Sequence, residues 1–275
     1  MSMDIAIVDG KIVNGSGSPW FRGDIGITDG RISRIGRLDR SKATDVIDAK
    51  GLIVCPGFID AHSHTDMILR FNPRTESTIR QGITTMVVGN CGFSLAPVAP
   101  AHRSLLERSL SQFIPRGAKI DLPWSTFDEY LENGEGRGMA SNIAYLVGHG
   151  TVRTAVMGYE NCAPTAEELE EMKEHVAEAM EAGAVGLSSG LIYPPGMYTE
   201  VGELVALAKV AARYGGVYAS HIRGEGETLL EAVKEALKIG EEAGIPVQIA
   251  HHKAFGKARW GDTAKTLKMM EDARA

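Results

Sequence analysis

Over the first fifty positions, short β-branched runs alternate with polar residues. In "DIAIVDGKIV" two such runs flank Asp9-Gly10, and in "GDIGITDGRISRIG" two flank Asp29-Gly30. Asp-Gly between apolar runs is a strong hairpin signal, because the favoured two-residue turn needs positive φ at both central positions. The pattern predicts a small β-rich domain over residues 1–52, part of a β-sandwich, with too few strands to close it alone. From "LIVCPGFID" the pattern changes. Apolar runs now alternate with stretches of helical period, which predicts βα units on a parallel sheet. The predicted strands cover residues 53–60, 84–89, 142–147, 184–187, 216–220 and 246–250.

Helix signals fall between these strands. "TAEELEEMKEHVAEAMEAG" carries Thr165 as N-cap, Glu168 at the capping-box position and Gly183 as terminator. "TLLEAVKEALKIGEEAG" repeats the device with Thr228 and Glu231. Residues 99–138 are irregular and charged, with one helix expected near 103–113, and read as an insertion over one face. Serial βα units fit a (β/α)8 barrel or a doubly wound sheet. "VGNCGFS" and "GLSSGLIY" match neither the dinucleotide-binding fingerprint nor a P-loop. Polar residues recur at the C-terminal ends of the strands, where barrel active sites are built, which favours the TIM-like α/β barrel. The second domain is therefore read as residues 53–275.

Composition narrows the function classes. The 275 residues are 44% hydrophobic and 23% charged, with a net charge of −6. Basic residues are interspersed with acids, so neither nucleic acid nor a membrane surface is an expected partner. Three scattered cysteines, Cys55, Cys91 and Cys162, make no disulfide framework. No signal peptide or membrane span is legible, and the expected location is cytoplasmic.

The strand ends carry the chemistry. The first ends in His62 and His64, the second in Asn90 and Cys91, and the third leads to His149. The fourth leads to Ser188, Ser189 and Tyr193, the fifth to His221 and Arg223, and the sixth to His251, His252 and Lys253. Residues i and i+2 of a strand share a face, so His62 and His64 can aim at one object. Each residue alone has an ordinary explanation, a satisfied histidine or a small buried thiol. Their joint occurrence at successive strand ends points to a metal. His102 and His175 keep the ordinary reading, Cys55 and Cys162 receive no role, and His149 is ambiguous. Imidazole and thiolate donors suit zinc. Bound zinc lowers the pKa of water to about 7, which suits hydrolysis of an amide or ester, or deamination.

These residues resemble the amidohydrolase superfamily. "VCPGFIDAHSHTD" is similar to its strand-one motif, Pro-Gly-x-x-Asp-x-His-x-His. "VGNCGFSLAP", "GLSSGLIYPPGMY", "SHIRGEG" and "AHHKAFG" narrow the resemblance to the N-acyl-D-amino-acid deacylases, or D-aminoacylases. The resemblance implies a tightly held Zn2+ on Cys91, His221 and His251, and a second, weaker metal position at His62 and His64. Many superfamily members bridge two metals with a carboxylated lysine at the fourth strand. Leu187-Ser188-Ser189 stands there in this chain, and Cys91 fits the deacylase variant. Lys253 is implied as a contact for the substrate carboxylate, Tyr193 as a group orienting the scissile carbonyl, and Arg223 as a second cationic contact or a structural ion pair. The implied reaction is hydrolysis of N-acyl-D-amino acids to a carboxylate and a D-amino acid by metal-activated hydroxide. The substrate is a small molecule.

The resemblance places the general base on an aspartate at the eighth strand. This sequence reaches about six strands, ending at "TLKMMEDARA". It is therefore expected to be the N-terminal portion of a longer or split polypeptide, with the missing C-terminal part as its partner, and less able to turn over substrate than to bind metal. Other readings are a dihydroorotase-like or isoaspartyl-dipeptidase-like amidohydrolase, or a scaffold without turnover.

Overall fold

A computed structural model describes residues 2–134 and 138–275. Residues 135–137, in the expected insertion, lie outside the described residues. The chain divides into two compact units, Met1–Phe58 and Ile59–Ala275.

In the first unit, β1 (Met3–Ile12) is central. It pairs antiparallel with β2 (Phe21–Thr28), and on its other side parallel with β4 (Ala43–Asp48) and β5 (Ile53–Val54). β3 (Arg31–Gly36) flanks β2. Asp29-Gly30 forms the expected hairpin turn between β2 and β3, with φ of 51° and 70°. Asp9-Gly10 does not turn the chain. It is a bulge inside β1, where the register against β2 shifts between Ile7 and Gly10. Asp9 takes φ 60°, and its N–H donates to the Asp24 carboxylate at 2.9 Å. Neighbours on both sides hold β1 extended, so the same dipeptide adds one residue instead of reversing direction.

The strand expected over 53–60 is two strands in two sheets. Ile53–Val54 pairs with β1, whereas β6 (Phe58–Asp60) opens the second sheet. Pro56 between them has no N–H for a ladder. Cys55, expected inside the strand, lies just past β5 and is exposed.

The second sheet has the order β11-β10-β9-β8-β7-β6, formed by β6, β7 (Ile83–Val88), β8 (Asn142–Gly148), β9 (Gly186–Gly190), β10 (Val217–His221) and β11 (Val247–Ile249). The pairs from β7 to β11 are parallel. The sheet curls strongly: Gln248 on β11 donates to the carbonyl of Ala61, just beyond β6, at 3.3 Å. First and last strands thus face each other across the interior of an open, six-stranded half-barrel.

Helices follow the strands. α1 (Glu76–Ile79) precedes β7. α2 (Arg103–Leu110) and α3 (Phe127–Gly134) belong to the insertion, and α4 (His149–Met157) starts directly at the end of β8. α5 (Ala166–Ala182) has the full capping box of Thr165 and Glu168, and Gly183 closes it in the left-handed region. α6 (Val201–Arg213), α7 (Leu229–Ala243) and α8 (Asp262–Arg274) complete the set. Thr228 precedes α7 as expected, but its side chain makes no capping bond. Met172, Val176 and Ala179 of α5 and Leu204, Leu207, Ala208 and Ala211 of α6 recur at helical spacing and are buried in one core with Leu187 and Tyr218 of the sheet. Burial of each such leucine stabilises by about 1.5–3 kcal/mol. This packing fixes the strand ends on which the polar residues sit. Among the described residues, no helix is long and apolar enough to cross a membrane.

Candidate metal centre

The C-terminal ends of β6, β7, β10 and β11 bring five donors together. Cys91 Sγ lies 3.4 Å from His62 Nε2 and 3.7 Å from His251 Nε2, and His251 Nε2 lies 3.0 Å from His221 Nδ1. Two overlapping triads could hold an ion, Cys91–His221–His251 and His62–His64–Cys91, each with its ligand atoms within 4.8 Å of one another. Four-coordinate zinc, with bonds of about 2.0–2.1 Å to nitrogen and about 2.3 Å to sulfur, sets neighbouring donors about 3.3–3.6 Å apart. The observed separations scatter around that range. His62 Nδ1, His64 Nδ1 and His221 Nε2 are buried and have no hydrogen-bond partner among the described residues. The donor set fits a metal.

The local backbone is unusual at two of these residues. Cys91 has φ 57° and His251 φ 34°, values that side-chain-bearing residues seldom adopt. Close glycine contacts surround Cys91. A Cβ on Gly190 would lie 2.2 Å from the Cys91 carbonyl oxygen, and one on Gly92 would lie 2.8 Å from the Gly190 nitrogen. Tyr193 adds a hydrogen bond from its hydroxyl to the Cys91 carbonyl at 2.6 Å. The thiol is thereby aimed into the mouth by backbone packing.

Electrostatics favour neutral, lone-pair-bearing donors. Burial, reinforced by the neighbouring imidazoles, pushes His64 and His221 down to about 4, and burial also lowers His62. These rings are unprotonated at neutral pH. Burial pushes the Cys91 thiol up to about 11. A nearby cation would reverse that, because metal binding and thiol deprotonation are linked.

Glu225, not identified from the sequence, supports the site. Its Oε1 lies 2.8 Å from His251 Nδ1 and 3.9 Å from His221 Nε2, and it contacts the Lys253 ammonium. Donation from Nδ1 to this carboxylate fixes the His251 tautomer that leaves Nε2 as a lone pair facing Cys91. A signal was present: Glu225 stands four residues after His221 in "SHIRGEG".

The remaining expected residues divide. Lys253 is at the site but engaged with Glu225, and its Nζ is 3.0 Å from His251 Nδ1. Arg223 does not reach into the mouth. It forms a bidentate pair with Glu235 at 2.8–3.1 Å and donates to the carbonyls of Met197 and Thr199 at 3.0 and 2.9 Å. It clamps the loop that carries Tyr193, which corresponds to the structural ion-pair alternative. Ser188 and Ser189 are buried in hydrogen bonds to Gly89 and Gly92 and to Tyr218 and Ser220. His149 is fully buried, 2.8 Å from Glu203 on α6, and does not line the mouth. His252 bonds Thr266 at 2.7 Å.

A cavity of about 490 Å³ opens over the donors. Its lining includes His62, His64, Cys91, His221 and His251 together with Phe93, Phe113, Tyr159 and Tyr193.

Comparison with known proteins accords with this geometry. D-aminoacylase of Alcaligenes xylosoxydans xylosoxydans is 38% identical over 276 residues, covering 99% of this chain and 55% of that protein. N-acyl-D-glutamate deacylase of the same organism is 40% identical over 273 residues, covering 99% and 54%. The crystal structure of N-acyl-D-glutamate deacylase from Bordetella bronchiseptica, complexed with zinc and a phosphonate inhibitor that mimics the reaction's tetrahedral intermediate, superposes with a TM-score of 0.90. It is 38% identical and covers 100% of this chain and 56% of that one. The chain thus spans about half the length of the relatives it matches. The amidohydrolase family profile matches residues 45–272. With that match across both the strand-one histidines and the later strand ends, this chain belongs to the amidohydrolase family.

Proposed function

We propose that this chain supplies the metal-binding half of a zinc-dependent N-acyl-D-amino-acid deacylase. The observation that carries the reading is the meeting of one thiol and four imidazoles from four separate strand ends. The deacylase relatives, one of them zinc-bound, give the class of substrate. Cys91, His221 and His251 hold the tight Zn2+, and His62 and His64 with Cys91 provide a second, weaker position. A metal held there would supply Lewis acidity towards the amide carbonyl and lower the pKa of water to about 7.

The chain's own residues position the reactants. The Lys253 ammonium has three N–H donors, so it can pair with Glu225 and still accept the substrate carboxylate as a partner. Anchoring that anionic end beside His251 sets the amide over the donors. Tyr193, whose proton is directed to the Cys91 carbonyl, acts first on the Cys91 backbone, and its orientation of the scissile carbonyl is the further step. The cavity lining includes no carboxylate among the described residues. The proton transfer from water to the leaving amine calls for a base that this lining does not supply.

The test is hydrolysis by the full chain with zinc. N-acetyl-D-amino acids should be cleaved and their L enantiomers left intact, with activity lost on chelation and restored by zinc. Equal turnover of both enantiomers, or preference for hydantoins or β-aspartyl dipeptides, refutes the substrate assignment. Glu225→Gln should weaken zinc binding about 10–100-fold, the usual cost of removing a carboxylate that orients a ligating histidine. Competition against a chromogenic chelator measures this without reference to activity. An unchanged affinity would remove Glu225 from the site.

A further inference from the structure

The rim of the mouth is a closed circuit of seven rings. Going round, centroids are 5.4 Å apart from His62 to His64, and 5.1 Å from His64 to Phe113, from Phe113 to Phe93 and from Phe93 to Tyr193. The circuit continues 5.3 Å to His221, 4.3 Å to His251 and 5.2 Å back to His62. Four consecutive members are imidazoles and three are carbocyclic. The Phe93–Phe113 pair is three steps from His251 in either direction, so it stands opposite His251, Lys253 and Glu225.

Each half has a distinct chemistry. On the His251 side lie an ammonium and a carboxylate. Across the circuit, Phe113 stacks on His64 at an interplanar angle of 20°, and Phe93 stacks on Tyr193 at 19°. Both phenylalanines are half-buried and line the cavity, whose wall holds no lysine or arginine among the described residues. Its volume, about 490 Å³, is within the range of small-molecule sites.

We infer that Phe113, with Phe93, forms an apolar subsite for the acyl chain of the substrate, and that Phe113 limits the length of acyl group accepted. The inference rests on the deacylase reading. In an N-acyl amino acid the carboxylate and the acyl substituent lie on opposite sides of the scissile carbonyl. With the carbonyl over the central donors and the carboxylate at Lys253, the acyl chain extends towards the phenylalanine pair. Phe113 comes from the segment after α2, so the insertion supplies selectivity while the strand ends supply chemistry.

The experiment compares kcat/KM of the zinc-loaded full chain on N-formyl, N-acetyl, N-butyryl and N-hexanoyl derivatives of one D-amino acid. A second series holds the acetyl group and varies the D-amino-acid side chain. Phe113→Ala should raise the hexanoyl-to-acetyl ratio about tenfold, the usual scale for a change of pocket volume, and leave the second series unchanged. Phe113→Leu, a milder change, should shift the ratio in the same direction by less. In the wild-type enzyme, inhibition by straight-chain carboxylates should strengthen from formate to butyrate and weaken again at hexanoate, a readout that does not depend on the variants folding. A shift confined to the side-chain series, or flat acyl profiles together with flat carboxylate inhibition, overturns the subsite while leaving deacylation standing. A wild-type enzyme that cleaves no N-acyl-D-amino acid overturns both.

Discussion

Replacing Cys91 by serine should reduce zinc affinity by about 10²–10³-fold. The magnitude follows from apparent free energies of about 10–16 kcal/mol for four-ligand zinc sites, of which one ligand represents about 2.5–4 kcal/mol. Cys91 belongs to both donor triads, so the substitution should weaken both positions. His64→Ala, by contrast, should affect only the second. The serine keeps a side chain of similar size, and the packing of Gly92 and Gly190 around the backbone is untouched. Titration against a competing chelator reads the affinity, and His102→Ala serves as control, because His102 lies at the start of α2 outside both triads. Equal affinity in Cys91→Ser and His102→Ala would exclude sulfur from the site.

Removing a carboxylate far less conspicuous in the sequence should cost the fold most. Glu203 on α6 is buried, with Arg153 Nη1 at 2.5 Å on one oxygen and His149 Nε2 at 2.8 Å on the other. Arg153 is itself fully buried, and its Nη2 donates to the Cys162 carbonyl at 2.5 Å. Glu203→Ala strands the guanidinium without its counter-charge, and breaking a buried pair from one side costs about 3–5 kcal/mol. Domain stabilities run to about 5–15 kcal/mol, so the variant should unfold at much lower urea concentration. Apolar replacement of all three residues should cost less than Glu203→Ala alone, because no charge is stranded. Burial acts to raise the Glu203 pKa, but the hydrogen bonds and charges of His149 and Arg153 outweigh it and hold the carboxyl below its ordinary 4.5. Its contribution is therefore full above about pH 4.5 and lost as pH falls through the lowered native value. A variant as stable as wild type at pH 7 would show that the network adds nothing.

The residues that sequence reading located are those whose signals are local. Thr165 and Glu168 satisfy each other within one turn, so α5 was legible with its caps. The strand-end donors were legible because strand and motif coincide at each position. Asp9-Gly10 misled because its conformation is set by β2, β4 and β5, whose pairing with β1 lies outside any local window of sequence. The same holds for Arg223, whose partners Glu235, Met197 and Thr199 come together only once α7 and the Tyr193 loop have packed. Glu225 and Phe113 escaped notice for a related reason: their roles exist through rings that the curled sheet brings opposite each other. α4 and α6 carry the His149–Arg153–Glu203 network, whose members are separated by up to fifty-four residues in sequence.

The centre itself is most directly examined by X-ray absorption at the zinc edge on the full chain loaded with one equivalent of metal. The first shell should contain one sulfur at about 2.3 Å and at least two imidazole nitrogens at about 2.0–2.1 Å, with the sulfur lost in Cys91→Ser. A wild-type shell of nitrogen and oxygen alone would contradict the assignment of Cys91, His221 and His251 as the cage.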